Sequence, residues 1–293
     1  MSTLEDELLN QLGALGPKAH LVAVCDIAEL DDGLRNAVHE RFAGHTFPLL
    51  REPAWHALHP YSPLLLGAAS ADCAGHTKLA GAFTGRLRGA LHGWIVSTIA
   101  PDRLAEHLGQ AFVARGPDGA GYLLRYYDPW VLPVLSQEAP RQWWRTFITP
   151  IASWWVPKAD TKVQRWGRIP GFGATHADPL PPLMIDQALW QELMGDSLPH
   201  RLLQSMETHL PDVLDDPCRG VRLARIEVLL KGAREAGLST HDDLHDYVFL
   251  SLTQGATRLA ADRNWLWAMR AAAARKGRLG DLYSTACRQP SQP

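Results

Sequence analysis

A stretch rich in proline and glycine divides this sequence into two parts with different hydrophobic patterns. Five prolines and three glycines lie between residues 157 and 182, and they interrupt any regular element there. Short apolar runs alternate with amphipathic stretches before this stretch, whereas helical spacing dominates after it. We therefore predict an α/β domain at residues 1–157, a linker at 158–184, an all-helical lobe at 185–286 and a disordered tail at 287–293.

The hydrophobic pattern of the first part of the sequence predicts a layer of strands and helices. Residues 20–25, 91–98 and 122–127 are mostly apolar and contain β-branched or aromatic side chains, as buried strands do. The segments 32–42 and 101–112 place apolar residues four positions apart, along one face of a helix. This alternation favours an α/β lobe with a mixed, partly parallel sheet and flanking helices.

The second part predicts helices only. Apolar residues recur there three or four positions apart, and Thr240 precedes Asp243 by three positions, as at the start of a capped helix. The segments with this spacing are 185–193, 198–210, 221–233, 240–252 and 265–276. We therefore expect the C-terminal lobe to be all-helical.

Charge and hydropathy argue against two kinds of partner. Lys and Arg total 29 against 31 Asp and Glu, so the chain lacks the positive field that binding to nucleic acid needs. No apolar run approaches the ~20 residues that cross a bilayer, and the acidic N-terminus is unlike a secretory signal. The four cysteines are far apart, as is typical of free thiols in a reducing compartment. We expect a cytoplasmic protein without membrane insertion.

The residue types that carry catalysis do not form a recognisable site. His241 and His245 lie four positions apart on a predicted helix, where they could share a metal ion. However, Asp242 stands where a metalloprotease has its glutamate base, and no third ligand is evident. A GxSxG nucleophile elbow and a GxxxxGK[ST] phosphate loop are also missing. We therefore predict no catalytic residue, no cofactor and no metal; a metal-dependent hydrolase that uses the two histidines is the alternative.

Tryptophan is the least ordinary part of the composition. Six of the eleven tryptophans lie between residues 130 and 166, and packing in a core explains most of them. However, the adjacent pairs at 143–144 and 154–155 cannot face one core if the chain is extended, so some indoles should be exposed. Exposed aromatic side chains are typical anchors for a protein partner. The candidates for partner binding are Trp130, Trp143, Trp144, Trp154 and Trp155.

Asp128 and Pro129 mark the end of the third predicted strand, because proline has no ladder donor and fixes φ. Arg125 precedes Asp128 by three positions, and alternation puts the two side chains on opposite faces of a strand. A direct ion pair would therefore need the turn to fold Asp128 back. We assign structural roles to all three residues, Arg125 as strand anchor and Asp128 with Pro129 as turn former.

The segment 122–135 contains a recognisable motif, Tyr-Leu-Leu-Arg-Tyr-Tyr-Asp-Pro-Trp-Val-Leu-Pro-Val-Leu. It resembles the signature of the type VI secretion effector chaperones, also called Tap or Tec adaptors. Four further features are similar to that family in order and spacing. They are the strand end at Asp26 and the segments 62–66, 93–97 and 142–155. The resemblance covers about residues 18–157, and the helical half is similar only in kind.

This resemblance implies a non-enzymatic protein that binds a specific type VI secretion effector in the cytoplasm and helps to load it onto the VgrG spike. The family often has arginine after its Asp-Pro pair, where this chain has Trp130, so a partner contact of that arginine does not carry over. Besides the hydrolase, an immunity protein that occludes a toxin is a further alternative. The size of the chain argues against an immunity protein, because two lobes are more than simple occlusion of a toxin needs.

Overall fold

The computed structural model describes residues 3–70, 72–158, 165–210, 212–214, 216 and 219–288. These residues divide into two compact units. The first unit comprises residues 3–158 and 165–195, and the second comprises the described residues from 196 to 288. Strands and helices form the first unit, and the described elements of the second are all helices, which confirms the predicted fold class. None of the described helices is both long enough and apolar enough to cross a bilayer.

The first unit alternates strands and helices. Its strands are β1 (His20–Cys25), β2 (Thr46–Pro48), β3 (Leu64–Gly67), β4 (Leu91–Ser97), β5 (Val113–Arg115), β6 (Gly121–Leu123), β7 (Ile151–Lys158), β8 (Arg165–Pro170) and β9 (Leu183–Met184). Its helices are α1 (Leu4–Leu15), α2 (Asp32–Arg41), α3 (Cys73–Ala80), α4 (Pro101–Gly109), α5 (Val131–Glu138), α6 (Arg141–Ile148) and α7 (Gln187–Met194).

Two sheets organise these strands. The larger has the order β2-β3-β1-β4-β7-β8, and all of its neighbouring strands are antiparallel. The smaller has the order β6-β5-β9 and contains the parallel pair, β5 with β9. The sequence pattern did not predict β2, which lies between α2 and β3. This additional strand reverses the chain, so that β3 runs antiparallel to β1.

Both faces of the larger sheet are buried along its central strands β1, β3, β4 and β7. Alternate residues of β1 enter different cores, with Val22 and Val24 on one face and Leu21, Ala23 and Cys25 on the other. Helices α4 to α7 contribute to the first core, and α1 to α3 contribute to the second. Because both faces are covered, the strands contain nearly continuous apolar runs instead of a strict apolar-polar alternation.

The predicted linker contains two strands of the first unit. β8 pairs with β7, and β9 pairs with β5. Pro170 is compatible with β8 because this strand lies at the edge of the sheet. Helix α7 also belongs to the first unit, although the sequence pattern placed it in the helical lobe. Residues 159–164 of the predicted linker lie outside the described residues.

The third predicted strand is shorter than residues 122–127. β6 ends at Leu123, and the chain leaves the sheet through a turn that includes Tyr126 and Tyr127. Both tyrosines are buried, so the apolar pattern reflects packing in a core and not a longer strand. A short apolar run does not distinguish these two cases.

The second unit contains helices of the expected spacing. They are α8 (Leu198–His209), α9 (Arg219–Glu235), α10 (His241–Gln254), α11 (Ala256–Ala260), α12 (Arg263–Ala273) and α13 (Leu279–Arg288). Thr240 is the N-cap of α10, as expected, and its Oγ1 accepts from the Asp243 N–H at 3.2 Å. Helices α11 and α13 were not predicted. Cys287 and Arg288, the first residues of the predicted tail, end α13, and residues 289–293 lie outside the described residues.

Candidate functional site

Two distant segments of the chain meet at the end of β1. Asp26 follows β1 directly and is 1% exposed, and the Arg125 guanidinium donates a hydrogen bond to its Oδ2. The Tyr127 hydroxyl accepts from Arg125 Nε at 3.1 Å and donates to the same Oδ2 at 3.4 Å. We call Asp26, Arg125 and Tyr127 the carboxylate anchor.

Local hydrogen bonds explain why Asp26 ends the strand. Its N–H donates to the Ala90 carbonyl at 2.8 Å, and its Oδ1 accepts from the Ala28 N–H at 3.1 Å, which opens a short 3₁₀ turn. Aspartate is among the residues that best cap a helical turn in this way. One carboxylate oxygen therefore caps the turn, and the other binds Arg125.

Arg125 forms its ion pair with Asp26 and not with Asp128. The Asp128 Oδ1 accepts from the Trp130 N–H at 2.8 Å, and its carbonyl accepts from the Leu132 N–H at 3.0 Å. These bonds turn the chain through Pro129 into α5. The opposite-face argument for Arg125 and Asp128 does not apply, because neither residue lies in a strand.

The charges around the carboxylate anchor fix its protonation near neutral pH. Burial raises the pKa of the Tyr127 hydroxyl, and the charge of Asp26 raises it further. Burial has the opposite effect on Arg125, but Tyr127 and Asp26 raise the pKa of its guanidinium above the ordinary value. Arg125 therefore stays charged and Tyr127 stays protonated. The Arg125 side chain is 47% exposed, so it presents a fixed positive charge to solvent.

Glu29 and His92 lie beside the anchor. His92 Nε2 is 3.5 Å from Glu29 Oε1, and these two residues and Asp26 offer ligand atoms within 4.8 Å of one another. This residue set and spacing resemble a metal site. However, Arg125 already binds Asp26, and its positive charge repels a cation at that position. We therefore assign no metal to this group.

The surroundings of His241 and His245 are the sequence's candidate for a metal site. Among the described residues, no group of three close ligands includes either histidine. The His241 side chain is 50% exposed, and the His245 ring stacks on Phe249 with a centroid distance of 6.3 Å. The geometry gives no support to the alternative of a hydrolase that uses these histidines.

The carboxylates near these histidines anchor one helix to another. Asp243 accepts from the Leu279 N–H at 2.8 Å, and Asp246 accepts from the Gly280 N–H at 3.0 Å. Asp246 also binds Arg278 through both oxygens at 2.7 Å. Both aspartates are buried. The acidic start of α10 therefore holds the N-terminus of α13.

Trp154 and Trp155 point to opposite faces of β7, and each enters a core. Trp154 is 0% exposed and lies against Tyr126 and Phe147, while Trp155 is 8% exposed and its Nε1 donates to Ser153 Oγ at 3.1 Å. The expectation that adjacent indoles cannot share one core is correct for this pair, but Trp143 and Trp144 lie on helix α6 and both pack against the first core. Neither Trp154 nor Trp155 is exposed, because helices cover both faces of the sheet.

The other candidate tryptophans differ in exposure. Trp143 is 5% exposed, stacks on Phe147 and donates from Nε1 to the Pro181 carbonyl at 2.9 Å. Trp144 and Trp130 are partly exposed, at α6 and at the start of α5. Trp143, Trp154 and Trp155 are buried, so they pack in the core. Partner binding by Trp130 and Trp144 stays a prediction.

The sequence did not identify Asp26 as the partner of Arg125, nor the part that Tyr127 plays. A usable signal was present, because a charge directly after a buried apolar strand needs a compensating partner. Both Asp26 and Arg125 also lie in segments that carry the family resemblance. Because Asp26 and Arg125 are 99 positions apart, the sequence alone did not show which cation compensates the charge of Asp26.

Comparison with known proteins places the carboxylate anchor inside one matched segment. No curated protein and no solved structure matched the chain. Residues 21–145, less than half of the 293 residues, match the model of a family described as a domain of unknown function, DUF4123. In these residues the chain is therefore similar to DUF4123, a family associated with adaptors of type VI secretion effectors.

Proposed function

We propose that this protein is a non-enzymatic chaperone or adaptor that binds a specific type VI secretion effector in the cytoplasm and helps to load it onto a VgrG-type spike. The match to DUF4123 supports this proposal, since the family is associated with effector adaptors. The segment 122–135, which carries the resemblance to Tap and Tec adaptors, lies within the matched residues.

The observation that carries the proposal is the match of residues 21–145 to DUF4123, and the structure adds an ion pair that joins the two ends of this matched segment. Asp26 lies near its start and Arg125 near its end, and the pair joins them into one structure. The loop that follows Arg125 presents two groups suited to a protein partner. They are the half-exposed Arg125 guanidinium and the partly exposed Trp130 indole. Arginine and tryptophan are the side chains most enriched at the energetic centres of interfaces.

We place the contact with the effector on this loop and on Trp144 of α6. This choice leaves out the candidates Trp143, Trp154 and Trp155, because a buried indole cannot serve as an exposed anchor. The spike protein is a second partner, and we assign no surface to it.

Deletion of the gene in the native bacterium tests this function. We expect export of one effector to stop while export of the VgrG spike continues, and wild-type protein should restore export. A loss of all type VI secretion would indicate a structural component of the apparatus instead. Self-intoxication after deletion would support the immunity-protein alternative, because an immunity protein protects the cell that makes it.

Elemental analysis of the purified protein tests the hydrolase alternative. We expect no stoichiometric zinc in the wild-type protein or in the His241→Ala/His245→Ala double variant. Stoichiometric zinc in the wild-type protein that disappears in the double variant would favour the hydrolase over the adaptor.

A further inference from the structure

We propose that the exposed side of α12 binds an acidic, amphipathic segment of a protein partner. Leu266 and Trp267 on this helix are 37% and 52% exposed. Arg263 and Arg270 are also exposed, and all four side chains lie on one side of the helix because their positions are three or four apart. We call these four residues the α12 outer face.

Packing on the opposite side fixes the orientation of α12. Trp265 is 2% exposed, and its ring lies 5.3 Å from Tyr283 and 5.6 Å from Tyr247. Ala268 and Ala272 are buried on the same side. Rotation of the helix to hide Trp267 would expose Trp265. The outer indole is therefore a fixed surface feature of the second unit.

Positive charge predominates in the sequence that contains α12. Between residues 256 and 276 the chain contains five cations, Arg258, Arg263, Arg270, Arg275 and Lys276, and a single carboxylate, Asp262. Internal hydrogen bonds occupy that carboxylate, because Asp262 accepts from the Asn264 N–H at 2.8 Å and from the Tyr283 hydroxyl at 2.7 Å. The local excess of positive charge stands out on a chain with a net charge of −2.

The side chains of Arg263 and Arg270 have no hydrogen-bond or ion-pair partner among the residues that the structure describes. A guanidinium offers a planar fork of donors that fits a carboxylate. One arginine lies four positions before Trp267 and the other three positions after it, so the indole is flanked by two available cations.

This arrangement determines the chemistry of the partner. The indole and Leu266 offer a small apolar contact, and tryptophan and arginine are the residue types that most often dominate interface energies. A matching segment has an apolar side chain to cover Trp267, with carboxylates on either side to reach Arg263 and Arg270. An acidic, amphipathic stretch of a protein meets both conditions.

A membrane surface fits this face less well than a protein segment. An interfacial helix buries a broad apolar face in lipid, but the apolar side of α12 is already buried within the second unit. Nucleic acid would need many phosphate contacts along a continuous basic surface. The inference is also independent of the adaptor proposal, because α12 lies outside the matched residues 21–145.

A synthetic peptide tests this surface. The probe is a labelled peptide of about 20 residues, long enough to form a helix, with a leucine stripe flanked by glutamates. Fluorescence anisotropy against the full-length protein should show saturable binding that weakens as salt rises. The variants Trp267→Ala and Arg263→Glu/Arg270→Glu should each weaken binding at least about tenfold. A peptide with lysine in place of glutamate should not bind.

Phe172→Ala is the matched control, since Phe172 is an aromatic residue of the first unit that is 62% exposed. It should bind the peptide like the wild type, and all variants should melt near the wild-type temperature. The proposal is wrong if the wild type does not bind the acidic peptide or if both α12 variants bind it normally. Binding to phosphatidylserine vesicles that depends on Trp267, without binding to the peptide, would also overturn it. A negative result would leave the adaptor proposal intact, because the probe is not an effector.

Discussion

The guanidinium of Arg125 binds the carboxylate of Asp26, a residue 99 positions earlier in the chain. Asp26 is 1% exposed, and Tyr127 and the Ala28 N–H supply its other hydrogen bonds. This pair ties the end of β1 to the loop that leads into α5. The position of the motif at 122–135 therefore depends on a contact between two parts of the matched segment.

Replacement of Arg125 by glutamine should destabilise the protein. The change leaves the Asp26 carboxylate buried without its cation, which costs about 3 to 5 kcal/mol when both partners are fully buried. We expect about 2 to 3 kcal/mol here, because the Arg125 side chain is 47% exposed and part of its charge is screened by water. Urea denaturation gives this difference directly.

The double variant Asp26→Asn/Arg125→Gln separates the ion pair from other effects of these side chains. It should lose less stability than the sum of the two single variants, since the second change removes the charge that the first leaves unpaired. Strict additivity within about 0.5 kcal/mol would show that Asp26 and Arg125 are not coupled.

Asp128→Ala should cost only about 1 kcal/mol of unfolding free energy, the amount typical of one lost capping hydrogen bond. The lost bond is the one from the Trp130 N–H to Oδ1. Asp128→Ser should retain most of the stability, because serine also accepts at such positions. Thermal melts compare the two variants. A loss as large as that of Arg125→Gln would mean that Asp128 also compensates a buried charge.

The sequence was informative about local structure and less informative about pairing. The apolar run before Asp26 predicted β1 correctly, and the spacing in the second part located α8, α9, α10 and α12. Periodicity predicts which residues face inward, but it does not give strand order or direction. A second core on the other face of the sheet is therefore not evident from the sequence, which leaves Trp154 and Trp155 as candidates for partner binding.

The linker prediction differs from the structure for a related reason. Proline and glycine usually interrupt strands, so composition argued against regular structure between residues 165 and 184. An edge strand tolerates proline because one side of its backbone forms no ladder. β8 occupies such an edge. Only the three-dimensional arrangement identifies a strand as an edge. Pro170 by itself therefore neither predicts nor excludes a strand at this position.

The tryptophan variants should separate into two classes. Trp154→Ala should cost about 3 to 5 kcal/mol, because it removes a fully buried indole from the first core. Trp144→Ala and Trp130→Ala should cost less, because both side chains are partly exposed, and should weaken effector binding at least about tenfold. Melting temperatures and titration calorimetry measure the two effects. Normal effector binding by both of the latter variants would exclude these indoles as anchors.

Stability should decrease in mild acid, and His107 should contribute to the decrease. This residue is 2% exposed, its Nε2 donates to the Phe147 carbonyl at 3.0 Å, and burial lowers its pKa. Below the unfolded pKa of about 6.5, the unfolded chain binds a proton that the folded His107 does not. The free energy of unfolding should then fall by up to about 1.4 kcal/mol per pH unit, until the pH reaches the lower folded pKa.

His107→Gln provides the control for this pH dependence. The side-chain amide of glutamine does not titrate in this range and can also donate to the Phe147 carbonyl. Burial lowers the pKa values of His20 and His76 as well. The variant should therefore retain part of the decrease in unfolding free energy with falling pH. Urea denaturation across the acidic range measures it. An unchanged slope in the variant would show that His107 does not contribute.

Affinity capture of the tagged protein from a native bacterium with active type VI secretion tests the central claim most directly. Mass spectrometry of the captured proteins should show one type VI effector enriched over a tag-only control. The same purified effector should then bind the wild-type protein in titration calorimetry. A folded wild-type protein that enriches no type VI effector would contradict the proposal that this protein is an effector adaptor.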